Sequence, residues 1–198
     1  MALGEGVNRK LIVVVVVAAI LALLAGAAVG RNLLSQTESP VTRTDLVRFK
    51  DPVAKISIAY PATWRRLADR PQDPELVLLA AVDDSTSLLM RVSASGLEEP
   101  VTREALPVVR SYTDSLLNAD DRAKQLTEPA AVVVGGLPGW RYRYTYGSGD
   151  SGGAHDHYFL FKDRKLVQLV FQAIPAQRLP AVASQFDAIA DSFRGRDA

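Results

Sequence analysis

Residues 140–146, Trp-Arg-Tyr-Arg-Tyr-Thr-Tyr, alternate aromatic and polar side chains over seven positions. Successive side chains of a strand point to opposite faces, so the four aromatic residues share one face and the two arginines and the threonine share the other. Burying a large aromatic side chain stabilises a fold by about 1.5–3 kcal/mol, so we expect the aromatic face to be core rather than a ligand platform. The residues expected on the same side are Phe159, Phe161, Val167, Leu169 and Phe171.

Further extended segments lie on both sides of this strand. Leu76–Val82 is continuously apolar and predicts a strand buried on both faces. Residues 135–139 contain three glycines and a proline and predict a turn. The other predicted strands are Leu46–Lys50, Lys55–Tyr60, Arg65–Leu67, Ser87–Ser95, Lys124–Glu128, Ala130–Val134, His155–Phe161 and Leu166–Ile174.

Two helices are predicted, one in the middle of this region and one at its end. The first runs from near Thr102 to near Asn118, where Pro107 predicts either a kink or a later start. The second covers Gln177–Phe193, with Pro180 tolerated in its first turn. Strands grouped around two helices, without strand–helix–strand alternation, indicate an α+β domain with an antiparallel sheet flanked by helices.

An uncharged apolar segment, Leu11–Gly30, precedes this domain. It would span roughly 30 Å as a helix, the thickness of a bilayer core, and predicts a single transmembrane anchor. A secretory signal cleaved near residues 25–27 is the alternative. The expected organisation is a short tail at 1–10, the anchor, a polar linker at 31–44 and an extracytoplasmic domain at 45–195. We therefore expect a single-pass membrane protein whose C-terminal domain lies outside the cytoplasm.

Small residues recur every fourth position along the apolar segment. Such a stripe lets two transmembrane helices approach closely and predicts a helix-association face, although a span rich in Ala and Gly also produces it by chance. The stripe is formed by Ala18, Ala22, Gly26 and Gly30.

Overall composition excludes several functions. The formal net charge is +1, so the chain lacks the basic surplus of a nucleic-acid-binding protein. Cysteine is absent, which excludes disulfides, thiolate metal sites and a lipid-modified cysteine. Phosphate-loop and dinucleotide motifs are also absent from the sequence, and no cofactor is expected.

Two short motifs contain residue types that could carry chemistry. Gly149–Gly153 reads Gly-Asp-Ser-Gly-Gly, as around the nucleophile of trypsin-like proteases, but the histidines follow it instead of preceding it far upstream. His155 and His157 would face the same side of a strand and are weak candidates for metal ligands, since a zinc site needs a third protein ligand. The alternative is that both lie at a solvated loop end.

The polar side of the predicted sheet is the best candidate for a binding surface. We expect Arg141, Arg143, Gln168 and Gln172 to lie together on neighbouring strands, where the two arginines could hold an anionic ligand or partner. The alternative is an ordinary solvated sheet face.

Several motifs resemble the PsbP-like fold, and within it the actinobacterial exported proteins of the LpqN lipoprotein type. The resemblance extends from about Asp45 to Arg194 and implies an antiparallel sheet flanked by helices. It also implies non-catalytic roles as accessory subunits, partner-binding domains or envelope lipoproteins, with no catalytic motif to transfer. The absence of a lipidated cysteine departs from the LpqN type and leaves anchoring to Leu11–Gly30. The motifs are residues 60–64 (Tyr-Pro-Ala-Thr-Trp), the middle helix, residues 136–140 (Gly-Leu-Pro-Gly-Trp), the long hairpin and the end of the last helix at residues 191–193.

The expected function is therefore that of a membrane-anchored, extracytoplasmic, non-enzymatic domain that binds a protein or a cell-envelope component. A carrier or sensor of a small hydrophobic or anionic ligand is the alternative, and a hydrolase is a remote one.

Overall fold

The computed structural model describes residues 46–67, 73–119, 122–147 and 152–195. The predicted anchor Leu11–Gly30, with its stripe Ala18, Ala22, Gly26 and Gly30, lies outside these ranges, as does the linker. Among the described residues, no helix combines the length and the apolar character required to cross a membrane.

Ten strands and two helices make up the described part of the chain. Helix α1 covers Leu106–Leu117, and helix α2 covers Leu179–Asp191 after a 3-10 turn at Ala176–Arg178. The strands are β1 Leu46–Asp51, β2 Ile56–Pro61, β3 Arg65–Arg66, β4 Leu76–Ala81, β5 Thr86–Ala94, β6 Lys124–Gln125, β7 Ala130–Val134, β8 Leu137–Tyr146, β9 Gly153–Lys162 and β10 Lys165–Ala173.

The strands form one large antiparallel sheet and one hairpin. Strands β1 and β2 pair only with each other, while the other eight described strands follow the order β3-β4-β5-β10-β9-β8-β6, with β7 also paired to β8. Ser57 of β2 forms an antiparallel bridge with Arg194, which ties the hairpin to the end of the domain. The predicted α+β class is confirmed.

Local backbone requirements set several boundaries. Helix α1 begins at Leu106 because Pro107 occupies its first turn, where no backbone hydrogen bond is lost, so the later start is observed instead of a kink. The β7–β8 turn consists of Gly135 and Gly136 alone, both with positive φ. The prediction that the turn extends to residue 139 is wrong, because Gly139 is inside β8, against the carbonyl oxygen of Phe159.

Each face of the large sheet packs against one helix. On one face Trp140, Tyr142 and Phe159 form a cluster with α1. On the other, Leu169 and Phe171 pack with α2 and the β1–β2 hairpin, and the rings of Phe171 and Phe186 stack at 5.0 Å. We call these the α1 face and the α2 face.

The strand register corrects the predicted grouping of side chains. Trp140 pairs with Phe159, Phe159 pairs with Gln168, and paired residues of an antiparallel ladder share a face. Gln168 therefore lies on the α1 face, and so does Gln172. The apolar residues Val167, Leu169 and Phe171, expected beside the aromatic row, lie on the α2 face.

Strand β4 also departs from the prediction of burial on both faces. Leu78 and Ala80 are buried on the α2 face, while the alternate residues are only half-buried. The α1 face is thus less covered at β4 than at the centre of the sheet.

Candidate functional site

The predicted polar surface is divided between the two faces of the sheet. Arg141 and Arg143 lie on the α2 face, whereas Gln168 and Gln172 lie on the α1 face. The expectation that all four form one surface is therefore wrong, because it required β8 and β10 to present their polar residues on the same side.

The two arginines are held in an ion-pair network with carboxylates of the sheet and of α2. Arg141 Nε lies 2.7 Å and Arg143 Nε lies 3.0 Å from the carboxylate oxygens of Asp156, which is fully buried on β9. Arg141 also bonds Asp187 of α2, and its guanidinium lies 4.9 Å from the ring centre of Tyr158. The network joins α2 to the sheet, so these arginines already have protein partners.

The network keeps Arg141 charged despite its partial burial. Burial alone would lower the pKa of its guanidinium, but the hydrogen bonds and negative charge of Asp156 outweigh burial and raise that pKa. Since two arginines face two aspartates, the network has no excess positive charge for an anionic partner.

Polar groups on the α1 face fix the helix above the aromatic row. The indole N–H of Trp140 donates to the carbonyl of Leu106 at 3.0 Å. The hydroxyl of Tyr142 lies 2.6 Å from the hydroxyl of Thr113 and donates to Asp114 at 2.7 Å. The aromatic row is thus core, and its polar atoms hold α1 in place.

His155 and His157 share a face, as their spacing predicts, but they do not lie at a solvated loop end. Both are 3% exposed, near the centre of the sheet. The hydroxyl of Tyr144 lies 2.9 Å from His155 Nδ1 and 3.2 Å from His157 Nδ1. No group of three or more potential metal-ligating side chains is found within the described ranges.

A chain of hydrogen bonds links the two histidines to neighbouring side chains. Gln172 Oε1 accepts from Tyr146 at 2.9 Å and lies 3.3 Å from His155 Nε2, which therefore carries a proton. The hydroxyl of Tyr144 bridges the Nδ1 atoms of His155 and His157.

Burial also determines the charge of His157. Removal from water, with repulsion from His155, lowers the pKa of His157 to about 3, although the side chain of Gln168 opposes the shift. The imidazole is therefore neutral near pH 7.

Arg91 is a buried charged residue on the α1 face, and the sequence pattern did not predict it as part of a site. It pairs with Gln168 in the β5–β10 ladder and is only 2% exposed. Its Nη2 lies 2.8 Å from Glu75 and 3.4 Å from Asp73. The available signal was a single arginine within the apolar strand Thr86–Ala94.

The serine and the aspartate of the protease-like motif, Ser151 and Asp150, lie outside the described residues. The two histidines that follow it contact tyrosine and glutamine side chains, as described above.

The fold is that of PsbP-like proteins, an α+β architecture with helices against a large antiparallel sheet. No protein-family model and no curated protein sequence matches the chain. It superposes on cyanobacterial PsbP (CyanoP) from Synechocystis sp. PCC 6803 with a TM-score of 0.58 and 17% identity, over 80% of this chain and 97% of that one. LpqN of Mycobacterium tuberculosis, which is involved in cell envelope biogenesis, gives a TM-score of 0.54 and 12% identity, over 71% of this chain and 82% of that one. At these identities the likeness establishes the fold alone.

Proposed function

We propose that this chain is a membrane-tethered, extracytoplasmic, non-enzymatic domain that binds a protein or a cell-envelope component. The observation that carries the proposal is the junction of the apolar segment Leu11–Gly30 with a PsbP-like domain. A 20-residue apolar helix matches the thickness of a bilayer. The shared fold of LpqN, a protein of cell envelope biogenesis, supports an envelope role.

The packing of the domain favours recognition through its outer surface. The arginine network and the polar groups of the aromatic row are already paired within the domain, which leaves partner contacts to exposed side chains. Val53 in the β1–β2 hairpin, Val108 on α1 and Val133 on β7 are large apolar residues exposed by 84%, 79% and 50%. They sample three different regions of the surface.

Site-specific photocrosslinking in intact cells tests the proposal. A photoreactive residue replaces Val53, Val108 or Val133, one at a time, in the full-length chain. We expect one position to capture an envelope protein or component at high yield while the other two serve as matched surface controls. Equal labelling at all three positions, or no adduct at any, contradicts recognition through a defined surface.

Membrane attachment needs its own measurement. We expect the full-length chain to fractionate with membranes and to resist extraction by high salt and carbonate, while a chain lacking Leu11–Gly30 does not. Recovery of the intact full-length chain in the soluble cytosolic fraction contradicts the proposal.

Self-association through the small-residue stripe is a further part of the proposal. If Ala18, Ala22, Gly26 and Gly30 form a helix-association face, Gly26→Leu should abolish crosslinked dimers, because a large side chain keeps the helices apart. Val17→Leu, which a helix would place on the side opposite the stripe, is the matched control.

A further inference from the structure

Two turns of the chain meet at one end of the domain, on the side of the α2 face. Lys162, at the end of β9, donates from its Nζ to the backbone carbonyl of Lys55, directly after the β1–β2 turn, at 2.6 Å. The β9–β10 turn therefore lies against the tip of the β1–β2 hairpin. The two contacting residues are 107 positions apart in the sequence, so only the folded domain brings these turns together.

The tip of the hairpin exposes a large apolar side chain. Val53 is 84% exposed, more than any other large apolar residue of the described ranges. The turn that carries it is held in place, because Asp51 Oδ1 accepts from the backbone N–H of Ala54 at 2.6 Å and Ala54 is buried in the core under α2. A single exposed valine is common on protein surfaces, so its surroundings decide what it means.

The side chains around Val53 are mainly cationic. Residues 50–55 and 162–165 contain five lysines and arginines and two aspartates, a net charge of +3. The whole chain carries +1, so all its other residues together carry −2. Positive charge is thus concentrated at the two turns. The cations are Lys50, Lys55, Lys162, Arg164 and Lys165, and all except the half-buried Lys162 are exposed.

The acidic residues that border this end of the sheet lie on its other side. Leu97, shortly after β5, packs in the cluster under α1, and Glu98 and Glu99 follow it there. Asp73 and Glu75 pair with a buried arginine of the α1 face. These carboxylates therefore do not neutralise the cations on the side of the hairpin.

The linker is long enough to let this end of the domain touch the bilayer. The hairpin tip lies five residues beyond Leu46, or roughly 17 Å along β1. Residues 31–44 would span roughly 46 Å when extended, well over the distance from Leu46 to the tip. A tether of this kind also keeps the domain close to the membrane, so that contact with lipid becomes an intramolecular event at high effective concentration.

We propose that the β1–β2 turn and the β9–β10 turn together form a docking surface for an anionic lipid bilayer. Val53 enters the head-group region, and the surrounding cations contact lipid phosphates. Lysine heads on exposed, flexible stems suit a fluid array of phosphates better than one fixed ligand. The inference rests on the proposed membrane tether and adds to it the orientation of the domain, with this end toward the lipid.

A fluorescent probe at the hairpin tip tests the docking in reconstituted vesicles. The sequence contains no cysteine, so Val53→Cys in the full-length chain provides one labelling site for an environment-sensitive fluorophore. The vesicles contain phosphatidylcholine alone, or phosphatidylcholine and phosphatidylglycerol in equal parts. With the mixed vesicles we expect a blue-shifted, several-fold brighter emission that brominated lipid chains quench. With phosphatidylcholine alone, or in 1 M salt, where the screening length falls to about 3 Å, we expect the emission of a probe in water.

A probe at a second valine controls for exposure. Val108 on α1 is 79% exposed and lies on the opposite side of the sheet. We expect a Val108→Cys probe to report water with both kinds of vesicle.

Charge reversal tests the role of the cations. Lys50→Glu and Lys165→Glu each reverse one exposed charge of the docking surface, and each should lower the lipid quenching of the Val53 probe by more than half. Lys124→Glu is the matched control, because Lys124 is exposed on β6 and pairs with Thr145 near the other end of the sheet. It should leave the quenching unchanged. Circular dichroism of the same samples checks that each variant is folded.

Flotation of the vesicles after carbonate treatment measures the tether separately from the docking. A chain that floats while its Val53 probe remains in water overturns the docking and leaves the tether intact. A surface built for an acidic protein gives that same result, since the vesicles contain no other protein. A chain that does not float overturns both proposals. Equal probe responses with and without phosphatidylglycerol, or equal effects of Lys165→Glu and Lys124→Glu, overturn the recognition of anionic lipid.

Discussion

Asp156→Asn tests whether the ion-pair network under α2 is a structural element of the domain. The Asp156 carboxylate is 0% exposed and accepts hydrogen bonds from Arg141 and Arg143. Asparagine has the same shape but no charge, so two partly buried guanidinium groups lose their main counter-charge. Removing one partner of a buried ion pair typically costs about 3–5 kcal/mol, which is the loss expected here.

Asp187→Asn supplies a matched control within the same network. Asp187 contacts the same arginines, but its side chain is 46% exposed. Water replaces an exposed partner at little cost, so we expect a loss of about 1 kcal/mol or less. The two substitutions make the same chemical change and differ in burial.

Unfolding of the full-length chain measures both effects. One kcal/mol corresponds to about 2–4 °C in Tm for a domain of this size, so Asp156→Asn should lower Tm by about 6–20 °C and Asp187→Asn by about 4 °C or less. Circular dichroism and tryptophan fluorescence should give coincident transitions, since Trp64 and Trp140 report on opposite faces of the sheet. Equal losses for the two variants, or a loss below about 1 kcal/mol for Asp156→Asn, would refute the structural role assigned to the network.

Three further predictions concern a close contact, a buried hydrogen bond and pH. Gly139→Ala should prevent folding or lower the free energy of unfolding in urea by more than about 3 kcal/mol, because the new methyl would lie 2.2 Å from a backbone oxygen of β9. Gly96→Ala is the control and should cost about 1–2 kcal/mol, because Gly96 has a φ of +73 but open space around it. Similar losses in the two variants would contradict the close contact at Gly139. Tyr142→Phe should cost about 1–3 kcal/mol, because the hydroxyl that it removes donates to the Asp114 carboxylate; a loss of the same size in the Asp114→Ala background would place its cause elsewhere. The pKa of His157 in the folded state lies below the usual value of 6.5, so the stability that neutral His157 contributes is complete above about pH 6.5. Below that pH the free energy of unfolding should fall by up to about 1.4 kcal/mol per pH unit toward pH 3. Urea unfolding should give a smaller pH slope in His157→Phe than in the wild type, and parallel slopes would refute the assignment.

The sequence determined where most elements lie. Alternating side chains located the long strand that ends at Tyr146, and Ala130–Val134 is a strand with the predicted bounds. Pro107 predicted either a kink in α1 or a later start, and the later start is observed. The apolar spacing of residues 177–193 located α2. These features depend on residues close together in the chain, so local periodicity and backbone chemistry suffice to predict them.

The candidate site depended on information that local patterns do not contain. Residues of β9 and β10 are buried on both faces, so apolarity does not show which face a side chain occupies. The pairing of Lys162 with Lys165 across a two-residue turn sets the register, and a shift by one residue would exchange the faces. The prediction placed Gln168 and Gln172 on the wrong face because it grouped the apolar residues of β10 with the aromatic residues of β8.

The sequence by itself thus determined the fold class, the order of the elements and the apolar segment before the domain. The tertiary structure alone decided that Arg141 and Arg143 are paired with Asp156, and that Arg91 and His157 are buried on one face. Residues separated by more than 60 positions, such as Arg91 and His157, meet only through the pairing of β5, β10 and β9. Their partners are set by register and burial, which are properties of the assembled sheet and not of any single segment.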